Sequence, residues 1–423
     1  MSTTSGERVE IGYIRLIRGS RNFRFLWFGQ IISLLGDWFN LIASAALVAF
    51  LTKSGFAIGG LFVVRMLATF IASPIAGVIA DRYNRKHILI ATDVARAVTV
   101  LGFLFVRNAG DVWLLYTLTA IQSGIGGFFF PTRTAILPDI VLPRQLGAAN
   151  ALGSATWSVM QALGAAIGGL VAGTWGIYPA FVLDSFTFLL SSVLIARIRL
   201  RRRKADDVSD KTIRGVLTEY TDGLRYLGIN PDILVIVLHK AAVGLLMFAG
   251  FQIALVKIAK EIFVLGDKGA ISMGLIYGVN GIGTGVGPII ARYFTGDRDK
   301  PLRFCIIVGY FFGAVGLSVM APLSHFGVVL LGAMFRGIGG GIVWVFSTQL
   351  LLHLTASEVR GRVFGTEFTL FTLMSAAASA IAGAALDMPS FGVSDLLWWL
   401  AGLILIPCVL WAFWVIKAES KKR

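Results

Sequence analysis

Long apolar runs, separated by short polar segments, make up most of this chain. Each run is close to the ~20 residues that an α-helix needs to cross a lipid bilayer. Apolar residues follow one another continuously instead of alternating, which excludes a transmembrane β-barrel. The pattern therefore predicts an all-α integral membrane protein with twelve spans, at residues 24–51, 56–80, 87–107, 112–131, 147–173, 178–197, 232–256, 271–292, 303–322, 326–350, 363–386 and 394–417.

The distribution of charge supports the same assignment. Only 14% of the 423 residues are charged, whereas soluble proteins average about 25%. The net charge of +15 would suit a nucleic-acid-binding protein, but 29 of the 38 lysines and arginines fall at the two termini and in every second loop. Short loops rich in Lys and Arg stay cytoplasmic. We therefore expect both termini in the cytoplasm and no nucleic-acid partner.

The sequence does not favour an enzyme, a metal site or a cofactor. Cys305 and Cys408 both lie in apolar spans, so a disulfide framework is not expected. No phosphate-binding G-x-x-x-x-G-K-[ST] motif occurs, which argues against an ATP-driven pump. The four histidines are too scattered for a metal site; they are His87, His239, His325 and His353.

The chain contains an internal repeat. SGIGG at Ser123–Gly127 returns as RGIGG at Arg336–Gly340, and Gly169 corresponds to Gly383 at nearly the same offset. Parallel repeats are typical of transporters whose two halves rock around a central site. The predicted organisation is a cytoplasmic N-terminal segment (1–23), a six-helix bundle (24–197), a cytoplasmic linker (198–231), a second six-helix bundle (232–417) and a cytoplasmic tail (418–423).

The predicted linker contains an amphipathic helix. A basic run from Arg197 to Lys204 precedes apolar residues at helical spacing, and this pattern is typical of a helix that lies on the membrane surface. The apolar residues are Ile213, Val216, Leu217, Tyr220 and Leu224.

A charged turn between spans 2 and 3, GVIADRYNRKHILI (77–90), carries a recognisable motif. It resembles the signature loop of the major facilitator superfamily, G-x-x-x-D-R-x-G-R-[KR], with Asn84 at the customary glycine. Asn tolerates a left-handed turn. Four other stretches resemble the branch of macrolide efflux proteins and the enterobactin exporter: FRFLWFGQIISLLGDWF (23–39), FFFPTRTAILPDIV (128–141), QLGAANAL (145–152) and VRGRVFG (359–365). The motif positions are Gly77, Asp81, Arg82, Arg85 and Lys86.

The resemblance implies the twelve-helix major facilitator fold and a cytoplasmic gate. In this interpretation Asp81 meets the start of span 11 near Arg362, where a helix N-terminus favours a carboxylate. Arg85 would pair with Asp93, and together these contacts would hold the outward-facing state. The alternative is that these charges only fix the topology.

Charges within spans are candidates for transport because they are costly in lipid. Asp37 lies about 20 Å into span 1, and Arg65 lies about 22 Å from the same surface in span 2. We therefore expect an Asp37–Arg65 pair. Such a pair is either structural or, if Asp37 faces a central cavity, a site at which protonation releases Arg65 and shifts the conformational equilibrium.

Four further charged residues lie within predicted spans. Asp184 is expected to snorkel or to line a cavity, and Arg336 to contact an anionic group. Glu367 is expected to pair with Arg362 or another cytoplasmic arginine, and Lys240 to snorkel toward the cytoplasm. For each of these residues, a structural role and a role in coupling or substrate contact remain open.

These features predict a monomeric, proton-coupled exporter of amphiphilic small molecules in a bacterial cytoplasmic membrane. One alternative is a dedicated exporter or flippase of a single substrate, such as a siderophore or a lysophospholipid. An alternative of another class is a membrane scaffold or sensor that does not transport.

Overall fold

The computed structural model describes residues 13–200, 213–296, 298–356 and 359–420, and the description below is confined to them. Twelve helical segments in this part of the chain are long and apolar enough to cross a membrane. This number confirms the prediction made from the apolar runs.

The N-terminal half begins with a short helix, and six spanning helices follow it. A further helix, α8, lies in the linker. The bounds are α1 (Tyr13–Gly19), α2 (Arg21–Thr52), α3 (Gly55–Arg82), α4 (Arg85–Leu101), α5 (Val112–Ile140), α6 (Leu146–Thr174), α7 (Ile177–Ala196) and α8 (Ile213–Ile229).

The C-terminal half supplies the other six spans. Its first span is interrupted by π-helical turns at Gly244–Phe248 and Ile258–Ile262, and its last span is divided at Ile404. Twelve spans return the chain to the side on which it started, called here the terminal side; the opposite side is the far side. The bounds are α9 (Pro231–Val243), α10 (Ala249–Lys257), α11 (Ala270–Thr295), α12 (Asp299–Met320), α13 (Phe326–Leu354), α14 (Arg360–Ala385), α15 (Val393–Leu403) and α16 (Leu405–Ser420).

Polar caps mark where several spans begin. Ser20 and Ser54 accept hydrogen bonds from backbone amides in the first turns of α2 and α3. Asn84 caps α4 in the same way with a φ of −65°. Asn84 therefore does not use the left-handed conformation that Asn tolerates; it serves as an N-cap.

The fourth span is longer than predicted. We ended it at residue 131, but α5 continues to Ile140 through Pro131 and Pro138. Proline is tolerated in membrane helices because neighbouring groups satisfy the backbone carbonyls that it frees. The helix therefore continues past the end of the apolar run.

The two halves contact each other mainly through two helix pairs, α6 with α11 and α3 with α14. In the internal repeat, α6 of the first half corresponds to α14 of the second, and α3 corresponds to α11. Applying the repeat to the α6–α11 pair therefore gives the α3–α14 pair. Both contacts lie toward the far side, where α6 and α14 end and α3 and α11 begin. The structure thus joins its halves by two equivalent helix contacts.

Glycines make this close approach possible. A Cβ atom at Gly169 would overlap the backbone of Gly274, and one at Gly383 would overlap the backbone of Gly55. Small residues let membrane helices pack backbone to backbone. Gly169 and Gly383 are the same two residues that the sequence repeat related to each other, so the repeat preserves the contact surface of both halves.

The linker helix α8 contacts α14 and also α3. The backbone of Gly223 packs against Arg362 and Thr366, where an added Cβ would be crowded. Of the residues predicted to form its apolar face, Leu224 is exposed, and the side chains of the other four lie outside the described part. Residues 1–12 and 201–212 also lie outside it.

Replacing Gly169 by alanine tests the α6–α11 contact. The methyl group meets the Gly274 backbone, so we expect Gly169→Ala to lower the free energy of unfolding by about 1–3 kcal/mol. Thermal unfolding of the purified protein in detergent measures this loss. Gly285→Ala is the matched control, because no atom lies within 4 Å of a Cβ at Gly285. Equal melting temperatures for the two variants would contradict the packing.

Candidate functional site

An ion pair between Asp37 and Arg96 lies near the middle of the N-terminal half. Arg96 on α4 donates a hydrogen bond to Asp37 Oδ1, close to the midpoint of the 32-residue helix α2. The Arg96 side chain is 6% exposed, whereas that of Asp37 is 31% exposed. The guanidinium also lies over the Phe188 ring, 4.0 Å from its centroid. The carboxylate of the pair is therefore accessible while its partner is fixed and buried.

The predicted pair between Asp37 and Arg65 is wrong. No hydrogen bond from the Arg65 guanidinium is found among the described residues, and its Nη1 is buried without an acceptor. Arg65 does interact electrostatically with Asp37, and with Asp184 and Tyr277. Depth along the helix was estimated correctly, but depth does not determine which neighbouring helix brings its basic side chain to Asp37.

Two further carboxylates in this half, Asp93 and Asp184, are fully buried. None of their oxygens has a hydrogen-bond partner within the described part of the chain. Helix α2 passes close to Asp184 because Gly36 has no side chain; a Cβ there would overlap Asp184 Oδ1 and Thr187 Oγ1. Asp184 therefore neither snorkels nor lines an open cavity, contrary to our expectation.

The terminal-side loop uses a different acid from the one predicted. Arg85 donates to Asp139 Oδ2 at 2.9 Å and to the Ala135 carbonyl at 2.8 Å, so it ties α4 to α5. The predicted Arg85–Asp93 pair is wrong. Eight residues along one helix separate the two by about 12 Å, which is too far for a direct contact.

The other signature residues give no test of the predicted gate. Gly77, Asp81 and Arg82 belong to the last turns of α3, and the placement of their side chains lies outside the described part. Lys86 lies in the first turn of α4. The contact of Asp81 with the start of span 11 stays a prediction.

The C-terminal half contains its own buried ion pair. Lys240 Nζ lies 2.9 Å from Glu367 Oε1, and the two side chains are 2% and 4% exposed. Lys240 also donates to Thr348 Oγ1 at 2.9 Å and lies 4.1 Å from the Trp344 ring centroid. The predictions that Lys240 snorkels and that Glu367 pairs with a cytoplasmic arginine such as Arg362 are therefore wrong.

Arg336 is buried among neutral partners. Its Nη1 donates to Asn280 Oδ1 at 2.7 Å, and its Nη2 donates to the carbonyl of Met247 in the π-helical turn. The guanidinium lies 4.0 Å from the Phe251 ring centroid. No carboxylate lies within ion-pair distance of Arg336 among the described residues, so its charge is not neutralised directly.

Tyr277 lies between the charged groups of the two halves. It belongs to α11 of the C-terminal half, and its phenol is near both Arg65 and Arg336. Its ring packs against Trp38 of α2 with 5.4 Å between centroids, and its buried hydroxyl has no partner in the described chain. The polar centres of the two halves therefore meet at one residue.

A carboxylate also joins the halves at the far side. Asp387, two residues after α14, accepts hydrogen bonds from Ser54 Oγ at 2.6 Å, from the Gly55 amide at 2.5 Å and from the Phe56 amide at 3.1 Å. These donors form the N-terminus of α3 in the other half. We call this contact the Asp387 cap; it can exist only while the far side is closed.

The chemistry of the Asp387 cap favours the ionised acid. Partial burial tends to raise the pKa of Asp387, but the hydrogen bonds from Ser54 Oγ and the Phe56 and Gly55 amides outweigh it. The pKa of Asp387 therefore lies below its ordinary value. A helix N-terminus stabilises a carboxylate in this way.

Sequence reasoning missed three of these residues as site candidates: Arg96, Tyr277 and Asp387. Arg96 carried a usable signal, since it is a charge within an apolar span that needs a partner. Tyr277 and Asp387 carried none, because a tyrosine in a span and an acid in a loop are ordinary. Each residue acquires its role through a contact with a residue of the other half, which lies more than 100 positions away along the chain.

Known sequences similar to this chain are membrane transporters. Residues 26–379 match the family model of the Major Facilitator Superfamily. The uncharacterized MFS-type transporter YfiS of Bacillus subtilis is 26% identical and covers 85% of each chain. The putative bacilysin exporter BacE of Bacillus amyloliquefaciens is 25% identical over 81% of this chain and 83% of its own length. Macrolide efflux protein A of Streptococcus pyogenes is 24% identical, covering 92% and 94%.

Solved structures share the fold. A bacterial homologue of the iron transporter ferroportin, in its inward-facing state, matches with a TM-score of 0.70 at 15% identity, covering 93% of this chain and 98% of its own. The outward-facing state of a bacterial ferroportin homologue gives a TM-score of 0.58 at 14% identity, covering 94% and 99%.

Removing the charge of Asp387 should loosen the far-side closure. The probe is Ser379→Cys, which places a cysteine at a buried position in a Cys305→Ser/Cys408→Ser background. We expect this cysteine to react about fivefold faster with a maleimide when Asp387→Asn is added. This corresponds to a loss of about 1 kcal/mol for an exposed cap. Asp111→Asn is the matched control, because Asp111 caps backbone amides within its own half. Equal acceleration by both substitutions would contradict the assignment.

The pH dependence of the Asp387 cap follows from its lowered pKa. Its stabilisation is fully present above the ordinary carboxyl pKa of about 3.9 and is lost as pH falls through the lower folded-state value. We expect the melting temperatures of the wild type and Asp387→Asn to differ by a constant amount down to about pH 5 and to converge below about pH 4. A difference that vanishes near neutral pH would contradict this.

The Lys240–Glu367 pair should be costly to break on one side only. We expect Lys240→Met or Glu367→Gln alone to destabilise the protein by about 3–5 kcal/mol, and the double variant to lose less than the sum. Denaturant or thermal unfolding measures each value. The pair Lys257–Glu261, four residues apart in the same span and with an exposed glutamate, is the control and should contribute less than about 1 kcal/mol. Additive losses at Lys240 and Glu367 would contradict direct pairing.

Proposed function

Because the chain belongs to the major facilitator superfamily, we propose that this membrane transporter is a proton-coupled exporter of amphiphilic small molecules. The observation that carries this proposal is the Asp37–Arg96 pair, a carboxylate 31% exposed at mid-span with a buried basic partner. A proton that reaches Asp37 neutralises the carboxylate and leaves Arg96 without its ion pair.

Protonation of Asp37 changes the balance of a larger group of charges. Arg65 interacts electrostatically with Asp37 and Arg96, and Tyr277 of the other half lies near Arg65. Only a difference in stability between two conformations can drive transport. In this proposal a change in charge at Asp37 supplies such a difference, because it removes the counter-charge of Arg96 and changes the surroundings of Arg65.

The described contacts support a state that is closed at the far side. The glycine contacts of α6 with α11 and of α3 with α14, and the Asp387 cap, all join the halves there. If the basic terminal side is cytoplasmic, as the distribution of Lys and Arg favours, this state faces inward. The alternate state then requires the far-side contacts to separate.

Efflux as the direction of transport is supported by the names of the relatives. Two of them are described as a putative bacilysin exporter and a macrolide efflux protein. The substrates in these two names differ, so the shared property is export of a small molecule. In this chain, aromatic residues such as Trp38 and Tyr277 next to the charged centre suit molecules that combine apolar and polar parts. The proposed working unit is a monomer.

Flux driven by a pH gradient tests the proposal. Proteoliposomes with the wild type, Asp37→Asn or the control Glu261→Gln are loaded with lipophilic cations, macrolides or siderophores. We expect the wild type and Glu261→Gln to transport at least one class, and Asp37→Asn to lose most gradient-driven flux. Exchange without a gradient should persist in Asp37→Asn, because substrate binding remains.

Three results would contradict the proposal. Equal gradient-driven flux in the wild type and Asp37→Asn would remove Asp37 from coupling and leave Asp184 and Glu367 as the candidates. Flux of siderophores alone would favour a dedicated exporter, and lack of any flux by folded protein would favour the scaffold or sensor interpretation.

A further inference from the structure

A basic cavity of about 450 Å³ opens on the terminal side of the N-terminal half. It lies between the start of α2, the start of α4 and the segment that follows α7. Its volume falls within the range of roughly 300–1,000 Å³ that is typical of small-ligand sites. Four of its seven lining residues are basic and none is acidic; the basic ones are Arg21, Lys86, Arg197 and Arg199.

The charges that line this cavity are not neutralised within the described chain. None of the four basic side chains has a carboxylate within ion-pair distance among those residues. Arg21 and Lys86 belong to the first turns of α2 and α4. The N-termini of these helices add partial positive charge at the same place. The cavity is therefore suited to an anion.

The cavity wall is held in place by specific contacts. Asn22 Nδ2 donates to the Arg199 carbonyl at 2.8 Å, and the Arg199 amide donates to Asn22 Oδ1 at 3.1 Å. Ile198 is buried in the apolar core of this end of the bundle. Arg197 and Arg199, on either side of Ile198, are exposed. The two arginines thus flank a fixed residue and do not belong to a free tail.

An apolar surface accompanies the basic cavity. Exposed apolar residues follow the outer surfaces of α4 and α7, and on α7 they reach to within one turn of Arg197. Exposed apolar side chains on membrane spans face lipid. A ligand with an anionic head and apolar chains would therefore match both surfaces at once. The apolar residues include Val94 and Val98 on α4 and Phe186, Leu190 and Val193 on α7.

We propose that this cavity binds the anionic headgroup of a membrane phospholipid, whose acyl chains lie along α4 and α7. Basic pockets between spanning helices at the cytoplasmic side are typical of such lipid sites. A bound headgroup would link the first turns of α2 and α4, the helices that carry Asp37 and Arg96. The lipid site is separate from the proposed transport site and does not depend on it.

Lipid titration followed by native mass spectrometry tests the proposal on the full chain. The probes are dioleoyl phosphatidylglycerol, dioleoyl phosphatidylcholine and inorganic phosphate. The test variant is Arg197→Gln/Arg199→Gln. The control variant is Arg225→Gln/Arg298→Gln, which removes two exposed basic residues elsewhere. Melting temperature with each probe is recorded in parallel, so that a misfolded variant is recognised.

We expect the wild type and the control variant to bind phosphatidylglycerol in preference to phosphatidylcholine, and to melt at a higher temperature with it. The test variant should bind phosphatidylglycerol about 30-fold more weakly, from about fivefold for each basic side chain. Equal binding of the two lipids, or unchanged binding by the test variant, would overturn the proposal. Inorganic phosphate that stabilises as well as phosphatidylglycerol would assign the cavity to a soluble anion.

Discussion

Charged side chains inside a membrane span must find partners on other helices, and this constraint organises the centre of the molecule. Lipid provides neither counter-ions nor hydrogen bonds, so an unpaired charge there is costly. Asp37 meets Arg96 across α2 and α4, and Lys240 meets Glu367 across α9 and α14. Each half therefore contains, near mid-span, an ion pair that connects two of its own helices, and these pairs hold the bundles together from within.

Contacts between the halves follow a different principle. Glycine surfaces let α6 meet α11 and α3 meet α14 without interlocking side chains, and the Asp387 cap adds hydrogen bonds from one helix N-terminus. An exposed cap is worth about 1 kcal/mol or less, far less than a buried ion pair. The cap is thus a contact between the halves that can be lost at low cost, whereas a buried pair inside a bundle is costly to break on one side only. This difference is what rigid-body alternating access requires.

The number of spans, the repeat and the division into two halves were all predictable from the sequence. They follow from apolar run length and constant offsets, which are local or periodic signals. The partners of the charges were not predictable. Asp37 was expected to meet Arg65, because depth along a helix follows from counting residues, but the rotation of each helix depends on packing. Arg85 was assigned to Asp93 for a similar reason, whereas its partner Asp139 lies on another helix. The Asp387 cap joins residues over 300 positions apart, and no local pattern indicates it.

A reversible lock on the far side tests the central claim most directly. The position of a Cβ at Gly278 is 3.3 Å from Ala166 Cβ, close to the ~3.5–4.5 Å of a disulfide. The double variant Ala166→Cys/Gly278→Cys is made in a Cys305→Ser/Cys408→Ser background and reconstituted. The probe is a molecule that the reduced protein transports, and its flux is measured. The account predicts that oxidation stops flux and that a reductant restores it. Undiminished flux through fully cross-linked protein would contradict alternating closure of the two halves.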